Sequence, residues 1–131
     1  AAAPEGFDRG YYVRPTVFAD VDPGSGLAQE EIFGPVLSVM SYDQIEDATR
    51  IANGTAYGLS AGIWSGSQAE GVELARDLRA GEVQVNGAPF NVRAPFGGVG
   101  LSGYGRELGA YGIEEFLRTK AVHLAAVATE H

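Results

Sequence analysis

The middle of the chain alternates between two hydrophobic patterns, and this alternation restricts the fold more than any other feature. Runs rich in β-branched residues predict strands at residues 36–42, 59–64 and 82–86. Between them, residues 43–54 and 67–81 carry apolar side chains at helical spacing. Strands that alternate with helices usually pair in parallel. The sequence therefore predicts an α/β fold with a largely parallel sheet and flanking helices.

The two ends of the chain extend this pattern. Residues 10–20 are typical of a strand, in which Pro15 favours an edge or a bulge because proline lacks an N–H donor. A helix is predicted near residues 110–117 and a last strand near residues 119–127. We expect residues 1–118 to form one domain and residues 119–131 to add a terminal strand and tail.

Local signals place the ends of the two central helices. Asp43, with Glu46 three residues later, predicts the start of the first helix, and the pair Asn53-Gly54 predicts a left-handed C-cap. Ser67 predicts the N-cap of the second helix, which we expect to end at Gly81.

Composition limits the possible partners and the compartment. A chain of 131 residues can form a core that buries about 65–70% of the unfolded surface, and strand 36–42 is apolar enough to be buried on both faces. The net charge of −8 argues against nucleic acid and anionic membranes as partners. With no long apolar run and no signal-like N-terminus, we expect a cytoplasmic protein.

Cysteine is absent from the sequence, which contains two histidines. Disulfides, thiolate metal sites and a thiol nucleophile are therefore excluded from this chain. Two histidines without a metal-binding spacing also argue against zinc.

Residues 94–109 form a glycine-rich segment, called here the glycine loop. Six glycines lie between Gly97 and Gly109. Glycine is costly to order, so such a run requires either close approach of the backbone to a ligand or a turn that holds neighbouring side chains. Residues 98–103 match G-x-G-x-x-G, but no strand directly precedes them, so we do not expect a dinucleotide fingerprint.

Residues 58–62 match the nucleophile elbow G-x-S-x-G, with Asp77 and His123 following in the order of the α/β-hydrolases. An elbow requires a helix directly after the serine, whereas residues 61–64 continue as a strand. A hydrolase centred on Ser60 is therefore a minor alternative.

Several segments, in order, resemble the motifs of NAD(P)-dependent aldehyde dehydrogenases. The matching blocks are GYYVRPTVF (10–18), EEIFGPV (30–36), YGLSA (57–61), VQVN (83–86), PFGG (95–98) and SGYGRELG (102–109). The resemblance covers nearly the whole chain and implies the C-terminal part of that family's catalytic domain, with its final oligomerisation strand. Family members commonly carry lysine where this chain has Gly100, and a large aromatic residue where it has Gln84.

The resemblance also implies what this chain does not carry. In that family a cysteine thiolate attacks the aldehyde, hydride passes to the nicotinamide and the thioester is hydrolysed. The nucleophilic cysteine, the general-base glutamate, the oxyanion-hole asparagine and the cofactor-binding domain would lie upstream of residue 1. The chain is therefore expected to be inactive alone, with the remainder of the enzyme as its partner in a homo-oligomer.

The same resemblance assigns roles to individual residues. Glu31 would bind the nicotinamide ribose of NAD or NADP, and Phe33 would pack near the nicotinamide; a solvated carboxylate and a core phenylalanine are the alternatives. Phe96 would line the aldehyde pocket, or else pack on the glycine loop, with Asn86 and Phe90 beside it.

Glu107 would be a buried carboxylate that accepts a proton through water from the general base; a structural pair with Arg106 is the alternative. Gly97, Gly98 and Gly105 are expected to serve backbone geometry. A competing functional hypothesis is a non-catalytic module that assembles through exposed strands.

Overall fold

The structure is a computed structural model that describes residues 4–125. In chain order its elements are β1 (Thr16–Phe18), α1 (Gly26–Gln29), β2 (Val36–Ser38), α2 (Ile45–Ala52), β3 (Ser60–Ile63), α3 (Gln68–Asp77), β4 (Glu82–Val85), a 3₁₀ helix (Gly100–Ser102) and α4 (Gly109–Glu114). Strand and helix alternate from β2 to β4. The predicted α/β class is therefore confirmed.

The strands pair in parallel, in two separate sheets. β1 pairs with β2, with Thr16 opposite Val36, and β3 pairs with β4, with Ser60 opposite Glu82. Within residues 4–125 no strand joins the two pairs. The parallel pairing agrees with the prediction, whereas the single continuous sheet that we expected is divided in two.

Each strand is shorter than the segment predicted for it. The segment at 10–20 forms a strand at Thr16–Phe18, and the segment at 36–42 forms one at Val36–Ser38. A strand extends as far as its backbone groups find partners. The N–H of Thr16 donates to the carbonyl of Pro35 at 2.9 Å where β1 begins, and residues 10–15 have no partner strand among the described residues.

The ends of α2 differ from the prediction. Gln44 rather than Asp43 is the N-cap residue, and its side chain makes no capping hydrogen bond. Asn53 follows the helix with φ −84° and ψ −4°, so the left-handed C-cap predicted at Asn53-Gly54 is wrong. The physical reason is that the N–H of Gly54 donates to the carbonyl of Ile51 at 3.0 Å and continues a right-handed turn.

The start of α3 is as predicted, and its end is earlier. The Ser67 hydroxyl accepts the N–H of Glu70 at 3.3 Å, which confirms the N-cap. The helix ends at Asp77 rather than at Gly81, because Leu78 is already extended with φ −84° and ψ 126°. The N–H of Gly81 instead donates to the carbonyl of Gly58 at 3.1 Å, next to the start of β4.

The C-terminal elements are less extensive than predicted. α4 covers Gly109–Glu114 rather than 110–117. The strand expected near 119–127 is absent from residues 119–125, and residues 126–131 lie outside the described part of the chain. A strand requires a neighbouring strand, and none lies beside residues 119–125 within the described residues.

The chain buries less of its total surface than a typical folded monomer does. Its accessible surface is 10918 Å², compared with about 6,600 Å² for a typical folded monomer of this mass. This corresponds to burial of about 45% of the unfolded surface, which is less than the about 65–70% that a chain of this length can bury. Ile63, at 7% exposure, is the one buried hydrophobic side chain among the described residues.

The predicted burial of segment 36–42 on both faces is also wrong. Leu37 in β2 is 58% exposed, and Val39 is exposed as well. The described residues supply a second strand beside β2 but no layer that covers its outward face. The apolar character of this segment is therefore not satisfied by this chain alone.

None of the helices within residues 4–125 is both long enough and apolar enough to cross a membrane.

Candidate functional site

The glycine loop is held by backbone hydrogen bonds rather than arranged around an open anion site. The N–H of Val99 donates to the carbonyl of Gly58 at 3.1 Å, and the N–H of Leu101 donates to the carbonyl of Ala56 at 2.9 Å. The helix that begins at Gly100 is a 3₁₀ turn of three residues. These contacts agree with the interpretation that G-x-G-x-x-G is not a dinucleotide fingerprint here.

Close approach of backbone segments explains the glycines. A Cβ atom at Gly81 would overlap the carbonyl oxygen of Gly97, and one at Gly58 would overlap that of Arg79. Gly97 and Gly105 also have positive φ, of 153° and 84°. The loop therefore packs against the turns that precede β3 and β4, and the expected role of its glycines in backbone geometry is confirmed.

Phe96 and Glu107 are paired across this loop. Their backbones form an antiparallel bridge: the N–H of Phe96 donates to the carbonyl of Glu107 at 2.8 Å, and the N–H of Glu107 donates back at 2.6 Å. Both residues line a cavity of about 760 Å³, together with Tyr104 and Phe116. The structure thus brings together two of the predicted site residues.

Phe90 joins the same cluster. Its ring centroid lies 5.6 Å from that of Phe96, and the ring planes meet at 83°, an edge-to-face arrangement. Phe96 is partly buried and Phe90 is exposed. The pair forms an apolar surface between the end of β4 and the glycine loop.

The side chains around Glu107 differ from expectation in two respects. The Glu107 carboxylate is exposed rather than buried, because no described element covers it. The alternative pairing with Arg106 is wrong. The Arg106 guanidinium donates to the carbonyls of Gly98 at 2.9 Å and Gly105 at 2.7 Å, which fixes the two sides of the glycine loop to each other.

Glu31 and Phe33 lie in the segment between α1 and β2. Glu31 is exposed and lines a second cavity of about 590 Å³. Among residues 4–125 its carboxylate takes part in neither of the two ion pairs. The Phe33 ring is 96% exposed, so the alternative of core packing is not realised in this chain.

The two cavities are neighbours. Leu59 and Ser102 line both of them, so the surface around Glu31 continues into the surface around Phe96 and Glu107. The Ser102 hydroxyl accepts the N–H of Gly58 at 3.0 Å and thereby fixes the glycine loop beside β3. Sequence reasoning missed this role, because nothing local to residue 102 predicts a bond across 44 positions.

Asn86 is placed at the start of the segment that leads to Phe90, but its side chain is occupied. The amide oxygen accepts the N–H of Ser65 at 2.8 Å, and the amide nitrogen donates to the carbonyl of Ser65 at 3.0 Å. Asn86 also has a positive φ of 52°. The dipeptide Asn86-Gly87 is a strong turn signal that the sequence interpretation did not use.

The Ser60 alternative has no structural support. Ser60 begins β3, and the strand continues through Ile63, so the sharp strand-to-helix turn of a nucleophile elbow is not formed. Asp77 lies in α3. Among residues 4–125 no group of three or more acidic or histidine side chains is arranged to bind a metal ion.

Comparison with known proteins gives a consistent result. The sequence profile of the aldehyde dehydrogenase family matches residues 1–122. A protein of Staphylococcus saprophyticus, assigned by its name to the aldehyde dehydrogenases, is 48% identical over 119 residues, which are 91% of this chain and 25% of that protein.

Solved structures extend the comparison to the fold. The aldehyde dehydrogenase of Mycobacterium tuberculosis complexed with NAD+ is 46% identical, with a TM-score of 0.88 over 94% of this chain and 26% of that one. A cysteine-to-alanine mutant of aldehyde dehydrogenase C from Pseudomonas syringae, complexed with NAD+ and octanal, is 49% identical. Its TM-score is 0.83 over 90% of this chain and 24% of that one.

The chain spans about a quarter of the length of the curated relatives that it matches. With the family profile covering most of the sequence, and with the fold shared at this level of identity, the chain belongs to the aldehyde dehydrogenase family.

Proposed function

We propose that this chain is the C-terminal part of the catalytic domain of an NAD(P)-dependent aldehyde dehydrogenase, which oxidises aldehydes to carboxylic acids, and that it is inactive alone. The observation that carries the proposal is the match in sequence and fold to aldehyde dehydrogenases solved with NAD+. The chain contains no cysteine, so the thiolate of the family's mechanism must come from another part of the enzyme.

The cofactor side of the proposed site is the segment around Glu31. Its carboxylate is exposed and can accept hydrogen bonds from two ribose hydroxyls at once. The exposed Phe33 ring offers a flat apolar face for a nicotinamide ring. These residues fit NAD or NADP, which accepts hydride from the substrate when bound.

The substrate side is the edge-to-face pair Phe90–Phe96. An apolar wall of this kind favours an uncharged aldehyde and excludes water from it. Asn86 was predicted to line the same pocket, and its amide instead bonds to Ser65.

Glu107 completes the substrate side. Its carboxylate lines the cavity that Phe96 also lines, and in the complete enzyme it would accept a proton through water from the general base. This role requires the rest of the enzyme to cover a carboxylate that is exposed in this chain.

The remaining parts of the proposal concern the assembly. We propose that the remainder of the enzyme covers the surface that this chain leaves exposed, and that the complete enzyme is a homo-oligomer. The cytoplasmic location expected from the sequence stays a prediction, as does the domain boundary at residue 118.

The test uses a hybrid enzyme, in which this chain replaces the matching quarter of the Mycobacterium tuberculosis aldehyde dehydrogenase. We expect the hybrid to oxidise aldehydes with NAD(P). Glu31→Gln should raise the KM for the cofactor about 10-fold or more, because charge-assisted hydrogen bonds contribute about 1.5–3 kcal/mol. Glu30→Gln is the matched control, since it removes a neighbouring carboxylate outside the proposed contact.

Equal effects of the two substitutions on cofactor KM would remove Glu31 from the cofactor site. A folded hybrid that binds NAD(P) but oxidises no aldehyde would contradict the proposed function itself. The comparison with Glu30→Gln tests only the role assigned to Glu31, whereas the unmodified hybrid tests the proposed activity. A failure of the Glu31 assignment can therefore be told apart from a failure of the proposed function.

A further inference from the structure

We propose that Asn86 is a positioning residue for the segment that carries Phe90 and Phe96, and that it does not contact the aldehyde. The side-chain amide of Asn86 accepts the hydrogen bond that its backbone carbonyl would otherwise accept in the ladder between β3 and β4. The backbone can therefore leave the sheet in a fixed direction. The inference rests on the proposed function, because the positioned segment matters through the aldehyde that it faces.

The hydrogen bonds at the end of the ladder carry this inference. In a parallel pair of strands, the N–H and the carbonyl of one residue bond to two different residues of the neighbouring strand, which are two positions apart. The N–H of Asn86 donates to the carbonyl of Ile63 at 2.8 Å, so the next bond should join the N–H of Ser65 to the carbonyl of Asn86. The N–H of Ser65 is instead bonded to the Asn86 side-chain oxygen, at 2.8 Å.

The backbone of Asn86 explains the exchange. Asn86 has φ 52° and Gly87 has φ 71°, and the N–H of Ala88 donates to the carbonyl of Val85 at 3.2 Å. Two central residues with positive φ are characteristic of a type I′ turn, for which Asn-Gly is a favoured pair. The turn rotates the Asn86 carbonyl out of the ladder, and the side-chain amide takes over its bond.

A second contact, between Gly87 and the Trp64 ring, also holds the turn in position. A Cβ atom added at Gly87 would lie 3.0 Å from the outer ring of Trp64, which follows β3. The turn therefore rests on the indole ring while the Asn86 amide bonds the next residue, Ser65. Both polar atoms of the amide are used in this way: the oxygen accepts the N–H of Ser65, and the nitrogen donates one of its two N–H groups to the carbonyl of Ser65.

The position of the turn gives it a functional consequence. β4 ends at Val85, and ligands of parallel α/β sheets bind outside the carboxyl ends of the strands. The segment that leaves this turn reaches Phe90, which stacks edge-to-face on Phe96. Without the amide, both phenylalanine rings would still be present but could shift relative to the aldehyde. Such a shift would weaken binding of the aldehyde and misorient it.

Three substitutions in the hybrid enzyme separate the possibilities. Asn86→Gly keeps the tolerance of positive φ and removes both amide bonds. Asn86→Asp keeps an oxygen acceptor for the N–H of Ser65. Asn53→Gly is the matched control. The Asn53 amide also makes two hydrogen bonds to the backbone, one to Asp77 and one to Arg79, and it lies away from this turn.

We expect Asn86→Gly to raise the aldehyde KM about 10-fold, since small displacements of positioning groups are costly, while the KM for NAD(P) changes less than about two-fold. Amide hydrogen exchange at Ser65 should accelerate in the same variant, because its N–H loses its acceptor. Asn86→Asp should restore slow exchange and most of the aldehyde affinity. Asn53→Gly should change neither quantity.

Two results would overturn the proposal. One is an aldehyde KM in Asn86→Gly that is no different from that in Asn53→Gly. The other is a raised aldehyde KM with unchanged exchange at Ser65, which would place the amide on the substrate. Activity of the unmodified hybrid tests the proposed function separately, and exchange at Ser65 tests the amide bonds whether or not the hybrid is active.

Discussion

At the scale of single residues, the glycines of this chain mark places where three backbone segments meet. The carbonyls of Ala56, Arg79 and Gly97 each occupy the space that a side chain would need at Gly100, Gly58 and Gly81, respectively. Gly100 also has φ 61°, which favours glycine. A side chain at this position would overlap the Ala56 carbonyl oxygen and would therefore require a different path of the loop.

Substitution at the tightest of these contacts gives a stability prediction. Gly81→Ala should destabilise the hybrid enzyme by about 3 kcal/mol, because the new methyl group would overlap the carbonyl of Gly97 and force the loop away from β4. Gly62→Ala is the control: Gly62 lies in β3, and no atom lies within 4 Å of its added Cβ. Thermal unfolding of the two variants measures the difference. Equal melting temperatures would show that the loop does not pack on Gly81 as described.

At the scale of elements, the two central helices differ in how they begin. α3 is capped by the Ser67 hydroxyl, whereas the Gln44 side chain leaves the start of α2 without a side-chain cap. An N-cap bond contributes about 1 kcal/mol. The effect of an N-cap on stability can therefore be tested in both directions, by adding a cap to α2 and by removing the cap of α3.

We expect Gln44→Ser to stabilise the hybrid enzyme and Ser67→Ala to destabilise it, each by about 1 kcal/mol. Chemical denaturation gives both free energies of unfolding. Ser67→Asp serves as the control, since an aspartate also accepts the N–H of Glu70 and should leave stability near the original value. Destabilisation by Gln44→Ser would contradict the assigned start of α2.

The sequence predicted elements whose signals are local and missed those that depend on distant partners. The Ser67 cap and the alternation from β2 to β4 follow from patterns within a few residues. The strand expected at residues 119–127 and the buried faces of segment 36–42 depend on neighbours, and the described residues do not supply them. Residue roles followed the same rule. The pair Asn86-Gly87 is a local signal for a turn, but the bonds of Asn86 to Ser65 span 21 positions, and nothing near residue 86 indicates which residue they join.

The sequence predicted which site residues lie together better than it predicted whether they are buried. Phe90, Phe96 and Glu107 do meet around the glycine loop. Burial of Glu107 was not recovered, because burial depends on what covers the site rather than on the motif that contains the residue. Cofactor and substrate roles for these residues stay predictions.

At the scale of the whole molecule, exposed apolar surface is the dominant property. The accessible surface exceeds that of a typical folded monomer of this mass by about 4,300 Å². Both two-stranded sheets also have unpaired edges among the described residues, and such edges pair readily with other chains. This surface would be covered in the proposed complete enzyme.

The isolated chain should therefore associate in solution. We expect light scattering to give a mass well above 13.7 kDa and an apolar dye to bind strongly, because the exposed surface is larger than monomers tolerate. The hybrid enzyme at equal concentration is the control and should bind less dye per chain. A monodisperse monomer without dye binding would contradict this account of the exposed surface and would also remove the alternative of an assembly module.

Aldehyde-dependent formation of NAD(P)H tests the central claim most directly. Three samples are compared: the hybrid enzyme, the hybrid with the nucleophilic cysteine of its host portion changed to alanine, and the isolated chain. The proposed function predicts activity in the first sample and none in the other two, because no residue of this chain can supply the thiolate. Turnover by the isolated chain, or by the hybrid without its host cysteine, would contradict it.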